Sequence, residues 1–245
     1  KHIRDEQGIS LGQAQDVAAQ AAGYTHFHHA TVCAAETLPD LTSSFSGLGQ
    51  LQFAVNEHAQ EWPSYDNNGN QRGSLRRFAG MFLAGLDNEA LDAVTDELDD
   101  VSDEIGGGMG DMTLIEPIGL KRLIRCCQRL TSTEPAFLDG YAHWVGALVA
   151  LNHGAEAVAV ARPVFDTAVT LVPAAFKGYI PYSFLENRPF HRLAVNMLLA
   201  YDQVNQPDEA KAIAQRMLKW WPNDNIGFRF LLDDIKEFGR VVQDE

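Results

Sequence analysis

The sequence predicts an all-α protein, an array of helical hairpins preceded by a smaller N-terminal helical region. Three observations lead to this prediction. Apolar residues recur at three- and four-residue steps along most of the chain, which is the period of one helix face. Short polar turns join segments of helix length. The turn sequence at residues 151–157 also aligns without a gap to residues 204–210, which indicates an internal repeat.

Size and composition are those of an ordinary globular protein. The chain has 245 residues, of which 46% are hydrophobic and 21% are charged. Its net charge of −14 argues against binding nucleic acid through the whole surface, because phosphate contacts require lysine and arginine. No apolar run approaches the length of a membrane span, and the first residues contain no apolar signal-peptide core. We therefore expect neither a membrane nor a nucleic-acid partner.

We divide the chain into three parts. Residues 1–37 are predicted to form a small helical module, and residues 50–132 a helical region with an acidic segment and a glycine-rich loop. Residues 133–245 are predicted to form the helical hairpins. The stretch between the first two parts is rich in serine, threonine, proline and glycine, which is typical of a linker.

The middle part is predicted to contain four helices. The first spans about residues 50–61 and is stopped by a Trp-Pro pair, after which residues 64–70 form a surface turn. The second spans residues 74–86. The third begins near Asn88 and is broken by a run of glycines, and the fourth spans about residues 118–130 with an apolar stripe and a separate arginine face.

Residues 87–116 are strongly acidic, with eleven carboxylates and no lysine or arginine. Such a segment can attract a basic partner, even as a mimic of phosphate charge. It can equally be a solvated helix face. A third interpretation is internal, since the basic helix over residues 121–129 can dock beside it and offset the repulsion.

The second hairpin resembles the tetratricopeptide-repeat (TPR) family, in a variant found in bacterial proteins. Three residues stand at signature positions of that family: Tyr201, Ala210 and Pro222. Ala194 stands where the family usually has tryptophan, and Leu198 where it has glycine or alanine. The resemblance covers about residues 135–242. It implies a superhelical array of two and a half hairpins and a partner-binding groove, and it implies no chemistry.

The N-terminal region has a second, shorter resemblance. Residues 8–15 and 23–27 are similar to a small helical module at the start of bacterial proteins, some of which carry glyoxalase-like domains. No metal chemistry follows from it, because no glyoxalase sheet pattern follows here. The nearby cluster of His26, His28, His29 and Cys33 has good zinc-ligand types. Its alternative interpretation is a solvent-facing helix start, and we predict no metal site.

Two sets of residues in the hairpins are candidates for binding. The expected groove of a TPR-like array is lined by polar and aromatic residues of the first helices, here Tyr141, Asn152, Asn196, Tyr201 and Asp202. A second set lies where antiparallel packing brings one end of the hairpin together, here Glu186, Arg188, Arg192, Asp224 and Arg229. This second set forms either a structural latch, with Asn223 or Asn225 capping the next helix, or a polar pocket for a carboxylate or peptide terminus. Aromatic residues of the loop before it, Tyr179, Tyr182 and Phe184, either face a partner or plug the gap between hairpins.

The three cysteines, Cys33, Cys126 and Cys127, are odd in number and lack disulfide-framework spacing, which favours the reducing cytoplasm. Arg125 beside the pair would raise thiol reactivity. A buried small hydrophobe is the simpler interpretation of Cys127.

The favoured hypothesis is a cytoplasmic, non-catalytic adaptor that binds a peptide or protein partner and needs no cofactor. An acidic regulatory or immunity-type protein that neutralises a basic partner is the alternative. An enzyme that uses the histidines or the cysteine pair is the third hypothesis, and no catalytic residue is assigned.

Overall fold

The computed structural model describes residues 47–65, 71–106 and 112–242. Within these residues the chain forms four strands followed by seven helices. The strands are β1 (Gln52–Val55), β2 (Gln60–Tyr65), β3 (Gln71–Arg77) and β4 (Gly80–Leu83). The helices are α1 (Asn88–Glu104), α2 (Pro117–Thr133), α3 (Leu138–Ala150), α4 (Gly154–Leu171), α5 (Arg188–Gln203), α6 (Pro207–Trp220) and α7 (Phe228–Phe238). Short 3₁₀ turns lie at Met112–Leu114 and Leu185–Asn187.

The described part is mostly helical, as predicted, but the prediction of helices over residues 50–61 and 74–86 is wrong. These residues form two small antiparallel sheets, in which β1 pairs with β4 and β2 with β3. The apolar residues there fit both the period of a helix and the period of a strand. Side-chain pairing across the strands decides between the two, because Phe82 lies opposite Phe53 and Leu75 lies opposite Trp62. The predicted N-terminal module lies outside the described residues.

The helices predicted over residues 88–105 and 118–130 are confirmed as α1 and α2, and the hairpin helices follow as α3 to α7. Each helix packs against the next, including α4 and α5, which the loop over residues 172–187 separates in sequence. Helix α3 packs against α2, α4 and α5, and helix α5 likewise packs against three helices, α3, α4 and α6. Its side chains Phe190, Leu193 and Leu198 are fully buried, so it forms the centre of the helical core.

The internal repeat predicted at the two turns has one backbone conformation in both copies. Asn152 and Asn205 both adopt positive φ, 59° and 55°. In each copy the amide of this asparagine bonds to the carbonyl three residues back, and the next amide reaches five residues back. This is the Schellman motif, in which asparagine replaces the usual glycine because it tolerates left-handed backbone. The chain therefore turns in the same way from α3 into α4 and from α5 into α6.

The strands dock onto the helices through the loop between α4 and α5. Tyr179 forms a parallel bridge with Ala79, in which its amide bonds to the Phe78 carbonyl at 2.9 Å and its carbonyl accepts from the Gly80 amide at 2.8 Å. Trp62 packs edge-on against Trp221, with ring centroids 5.3 Å apart. Since an isolated two-stranded hairpin is marginally stable in water, these contacts hold the strands in place.

One buried amide completes this docking. Asn187 is 0% exposed and immediately precedes α5. Its Nδ2 donates to the carbonyls of Gly80 and Pro181, both at 3.0 Å, and its Oδ1 accepts from the Phe82 amide at 3.2 Å. Three backbone groups of β4 and the loop are thus satisfied by one side chain.

Replacing Asn187 by alanine should therefore lower the free energy of unfolding by about 3 kcal/mol, because buried backbone groups lose their partners. Urea denaturation measures this change. Gln203→Ala is the matched control, since that amide makes one exposed bond to the Val149 carbonyl and its loss should cost about 1 kcal/mol or less. Equal losses in the two variants would contradict the role given to Asn187.

Candidate functional site

The candidate site is the surface shared by the first helices of the two hairpins. Helices α3 and α5 lie side by side, and side chains of α5 reach across to α3 at three levels. We call the residues that make or support these contacts the α3–α5 face: Asp139, His143, Arg192, Asn196 and Gln203. All of them are partly or fully exposed, so the face is both structured and reachable from solvent.

A charged cluster lies at one end of the α3–α5 face. Asp139 Oδ1 is 3.4 Å from His143 Nδ1 and 3.3 Å from Arg192 Nη1. His143 Nδ1 is also 2.9 Å from the Asp139 carbonyl, to which it donates. The side chains of Asp139 and His143 are only 19% and 13% exposed, which strengthens the attraction between them.

The charges within this cluster support one another. Burial disfavours the charged form of Asp139, but the neighbouring His143 and Arg192 outweigh it and lower the pKa of the carboxyl. Burial likewise disfavours the charged imidazole, but Asp139 outweighs it and raises the pKa of His143. Arg192 Nε and Asp139 Oδ1 are buried and make no hydrogen bond within the described residues. Asp139 Oδ1 instead faces the charged groups of His143 and Arg192. The Arg192 side chain is 35% exposed and brings the cluster to the surface.

Two amides continue the face along α5. Asn196 Nδ2 donates to the Ala142 carbonyl at 2.9 Å, and Gln203 Nε2 donates to the Val149 carbonyl at 2.8 Å. The two donors on α5 are about two helical turns apart, and so are the two acceptors on α3. The two helices therefore keep the same register at both contacts. Gly146 permits this approach, because a Cβ there would lie 2.8 Å from Asn196 Nδ2.

The structure separates the other residues expected to line the groove. Tyr141 and Tyr201 are buried, 6% and 1% exposed, and burial raises the pKa of both phenols, that of Tyr141 to about 12. Asn152 occupies the exposed turn after α3. Asp202 accepts a hydrogen bond from the Val241 amide at 2.9 Å, so the chain after α7 folds back onto it. Of that set, Asn196 lies on the α3–α5 face.

The second set of polar candidates is also distributed over several contacts. Asp224 caps α7, because its carboxylate accepts from the amides of Gly227, Phe228 and Arg229 at 3.1, 2.7 and 2.8 Å. This cap is Asp224 and neither of the two asparagines beside it. The Arg229 guanidinium donates to the Pro222 carbonyl at 3.0 Å. The side chains of Asp224 and Arg229 therefore bond to main-chain groups at this end of the hairpin.

The remaining members of that set lie nearer the start of α5. Arg188 lies over the Tyr182 ring, 5.4 Å from its centroid, and donates to the Tyr182 carbonyl. Arg192 belongs to the charged cluster with Asp139. Glu186 is exposed. The five residues therefore do not converge on one carboxylate network.

The acidic helix α1 packs on the basic helix α2. Glu104 pairs with Arg122 and Glu97 with Arg129, so part of the acidic charge is offset internally. The remaining carboxylates point to solvent along the outer side of α1: Glu89, Asp92, Asp96, Asp99, Asp100 and Asp103. The paired carboxylates of α1 therefore fit the internal interpretation, and the exposed ones fit the interpretation of a solvated helix face.

The other candidate chemistries find little support in the described residues. Cys126 and Cys127 are buried, and burial raises the pKa of both thiols, which is the opposite of an activated nucleophile. No group of three histidine, cysteine or carboxylate side chains within the described ranges could hold a metal ion. The candidate zinc ligands at residues 26–33 lie outside these ranges. None of the helices within the described part is both long enough and apolar enough to cross a membrane.

Sequence reasoning missed the aromatic cluster that receives the strands. Trp62 contacts Tyr179, Phe184 and Trp221, with centroid distances of 6.5, 6.1 and 5.3 Å. Tyr179 is 9% exposed, so this loop aromatic packs inside the protein. The Asn-Asn-Gly-Asn stretch of the sequence contains the Asn-Gly pair that is typical of hairpin turns, and this signal could have indicated the strands.

A histidine in this region makes stability depend on pH. His191 is 1% exposed and its Nε2 donates to the Ile180 carbonyl at 2.9 Å, while burial lowers its pKa to about 4. The unfolded chain, with a pKa near 6.5, binds this proton more readily than the folded chain does. Folding stability should therefore fall as pH drops from about 6.5 to about 4, by up to about 3 kcal/mol. His143, whose pKa is raised, contributes with the opposite sign: its stabilisation is complete below 6.5 and is lost as pH rises through its folded value.

We expect His191→Gln to flatten the decline in unfolding free energy between about pH 6.5 and pH 4, because no group then gains a proton on unfolding at that position. Urea denaturation across this range measures the slope. His153→Gln, at an exposed turn position, is the control and should keep the wild-type slope. An unchanged slope in His191→Gln would show that the acid sensitivity has another source.

Comparison with protein-family models, curated proteins and solved structures finds no match for this chain.

Proposed function

We propose that this protein is a non-catalytic interaction scaffold with TPR-like architecture, which binds a peptide or helical segment of a partner protein on the α3–α5 face. The observation that carries the proposal is the repeated turn. Asn152 and Asn205 adopt the same left-handed conformation, with the same hydrogen bonds, at equivalent ends of α3 and α5. Stacked hairpins of this kind expose first helices side by side, which is the usual partner-binding arrangement of helical repeats.

The chemistry of the face supports a peptide partner. Arg192 and Asn196 are partly exposed on this face, and a guanidinium and an amide can bond to the carbonyls and amides of a peptide. Asn196 and Gln203 are already held by carbonyls of α3, so little side-chain freedom is lost on binding. The cytoplasmic location and the bacterial setting remain part of this proposal, from the cysteine pattern and the family resemblance.

Arg192→Ala and Asn196→Ala should each reduce partner capture at least tenfold, because they remove the central polar groups of the face. The measurement is affinity purification from the native host with quantitative mass spectrometry, followed by titration calorimetry with the strongest partner. Lys219→Ala and Gln215→Ala, on the exposed side of α6, are matched controls and should bind like the wild type. Circular dichroism checks that each variant folds. If a partner still binds both variants, and both variants are folded, this face is not the binding site.

The exposed carboxylates of α1 favour a second candidate, a regulatory protein that neutralises a basic partner. Six acidic side chains of one helix point to solvent: Glu89, Asp92, Asp96, Asp99, Asp100 and Asp103. A concentrated field of one sign accelerates and strengthens association with the opposite sign, and added salt screens it.

This candidate predicts that raising sodium chloride from about 50 to about 300 mM weakens partner binding at least tenfold, because the Debye length shortens. Substituting Asp96, Asp99 and Asp103 together by asparagine should have a similar effect at low salt. Asp208→Asn, on α6 with 97% side-chain exposure, is the control for a single lost charge. If binding changes neither with salt nor in the triple variant, the acidic helix is not the interface.

A further inference from the structure

The outer edge of β3 has properties of a peptide-binding edge. In the β2–β3 ladder, Pro63 lies opposite Ser74. Proline has no amide hydrogen and occupies strand positions whose amide points away from the partner strand. Pro63 and Ser74 therefore form a non-hydrogen-bonded pair, and the backbone groups of Ser74 point outward. By alternation, those of Arg76 and Phe78 point outward as well.

The protein itself already pairs with this edge at one end. The outward Phe78 carbonyl accepts from the Tyr179 amide, and the outward Gly80 amide donates to the Tyr179 carbonyl. These bonds agree with the alternation derived from Pro63. Tyr179 thus forms a one-residue bridge on this edge, and the edge continues beyond it through Arg76 and Ser74.

The continuing edge is open within the described part of the chain. The sheet there has only two strands, and residues 71–78 are all exposed. Among the described residues, the backbone hydrogen bonds outside the strand ladders include none from the amides of Ser74, Arg76 or Phe78. By the alternation, these amides point away from β2, where no second strand follows. The opposite edge is different, because Pro63 removes a donor from β2 and blocks strand addition there. The geometry therefore directs any added strand to β3.

The charge of this edge contrasts with that of the whole protein. Residues 71–78 contain Arg72, Arg76 and Arg77 and no carboxylate, in a chain of net charge −14. Glu61 of β2 lies opposite Arg76, whose Nε donates to the Ala59 carbonyl at 3.4 Å, so one of the three charges is partly offset. Arg76 and Phe78 lie on the same side of the strand, and Phe78 is 47% exposed. An added strand would place one side chain beside Arg76 and another, two residues away, beside Phe78. Charge and apolar complementarity favour an acidic and an apolar residue at these positions.

We propose that the outer edge of β3 binds an extended acidic peptide by strand addition, continuing the ladder that Tyr179 begins. The backbone groups of Ser74 and Arg76 supply the hydrogen bonds, and the arginines of β3 select for negative charge. The docked aromatic cluster around Trp62 keeps the edge in place before binding, which lowers the entropy lost on association. This interface is separate from the α3–α5 face and does not depend on it.

The test uses a synthetic probe, the acetylated and amidated peptide VEVVVEV, with the full chain; it presents a glutamate and, two residues away on the same face, a valine in either strand direction. Backbone NMR should show shift changes and slowed hydrogen exchange at the amides of Ser74, Arg76 and Phe78. Fluorescence anisotropy of the labelled probe gives the affinity. Ser74→Pro removes an outward amide donor and also the Ser74 hydroxyl that donates to Glu61. Arg76→Glu reverses the selecting charge. Each should weaken binding at least tenfold, whereas Ser74→Ala, which loses the hydroxyl alone, should bind like the wild type. Arg240→Glu, exposed after α7, alters net charge equally and should bind like the wild type.

Two control peptides separate the contributions. VKVVVKV keeps the strand propensity and reverses the charge, and VEVVVEV N-methylated at every residue keeps the charge and loses the amide donors of both edges. Neither should bind measurably. If Ser74→Pro does not fold, Arg76→Glu and the N-methylated peptide still decide the question. The proposal is overturned if the probe does not bind, if the N-methylated peptide binds equally well, or if the protected amides lie elsewhere. Arg192→Ala should bind the probe normally, so this result is independent of the proposed scaffold face.

Discussion

Asn187 is the side chain on which the joining of strands and helices depends. Where the loop between α4 and α5 is buried, its carbonyls and amides must be hydrogen-bonded. Asn187 pairs three such groups from β4 and the loop while standing at the start of α5. Because α5 is also the central helix of the array, the position of the strands is tied to the position of the core. A change in either would disturb both.

The two proposed interfaces differ in their physics. On the α3–α5 face, side-chain amides already bond to neighbouring carbonyls, and a charged cluster supplies directional polar groups. On the β3 edge, the backbone itself offers donors and acceptors, and arginines supply selectivity. The acidic helix α1 presents the opposite charge. A strongly acidic chain thus still concentrates positive charge on one strand, which net charge alone would conceal.

Local signals predicted the helices well and the strands badly. The apolar stripes of α1 and α2 recur over several turns, and only a helix buries such a stripe on one side. Between residues 74 and 86, apolar residues at three- and four-residue steps satisfy the same test over a short length. The choice there was made by cross-strand partners such as Phe53 and Phe82, which are distant in sequence. Short apolar runs do not distinguish the two periods.

The sequence by itself determined the repeated turns, because left-handed backbone and the preceding hydrogen bonds are local demands that asparagine meets at residues 152 and 205. It also determined the helical majority. Only the tertiary structure decided which polar residues meet. Arg192 was grouped by sequence with Asp224, yet it pairs with Asp139 of another helix, and Tyr141 and Tyr201 are buried in the core. Helix periodicity gives the angular position of a side chain, whereas its neighbours depend on how helices pack.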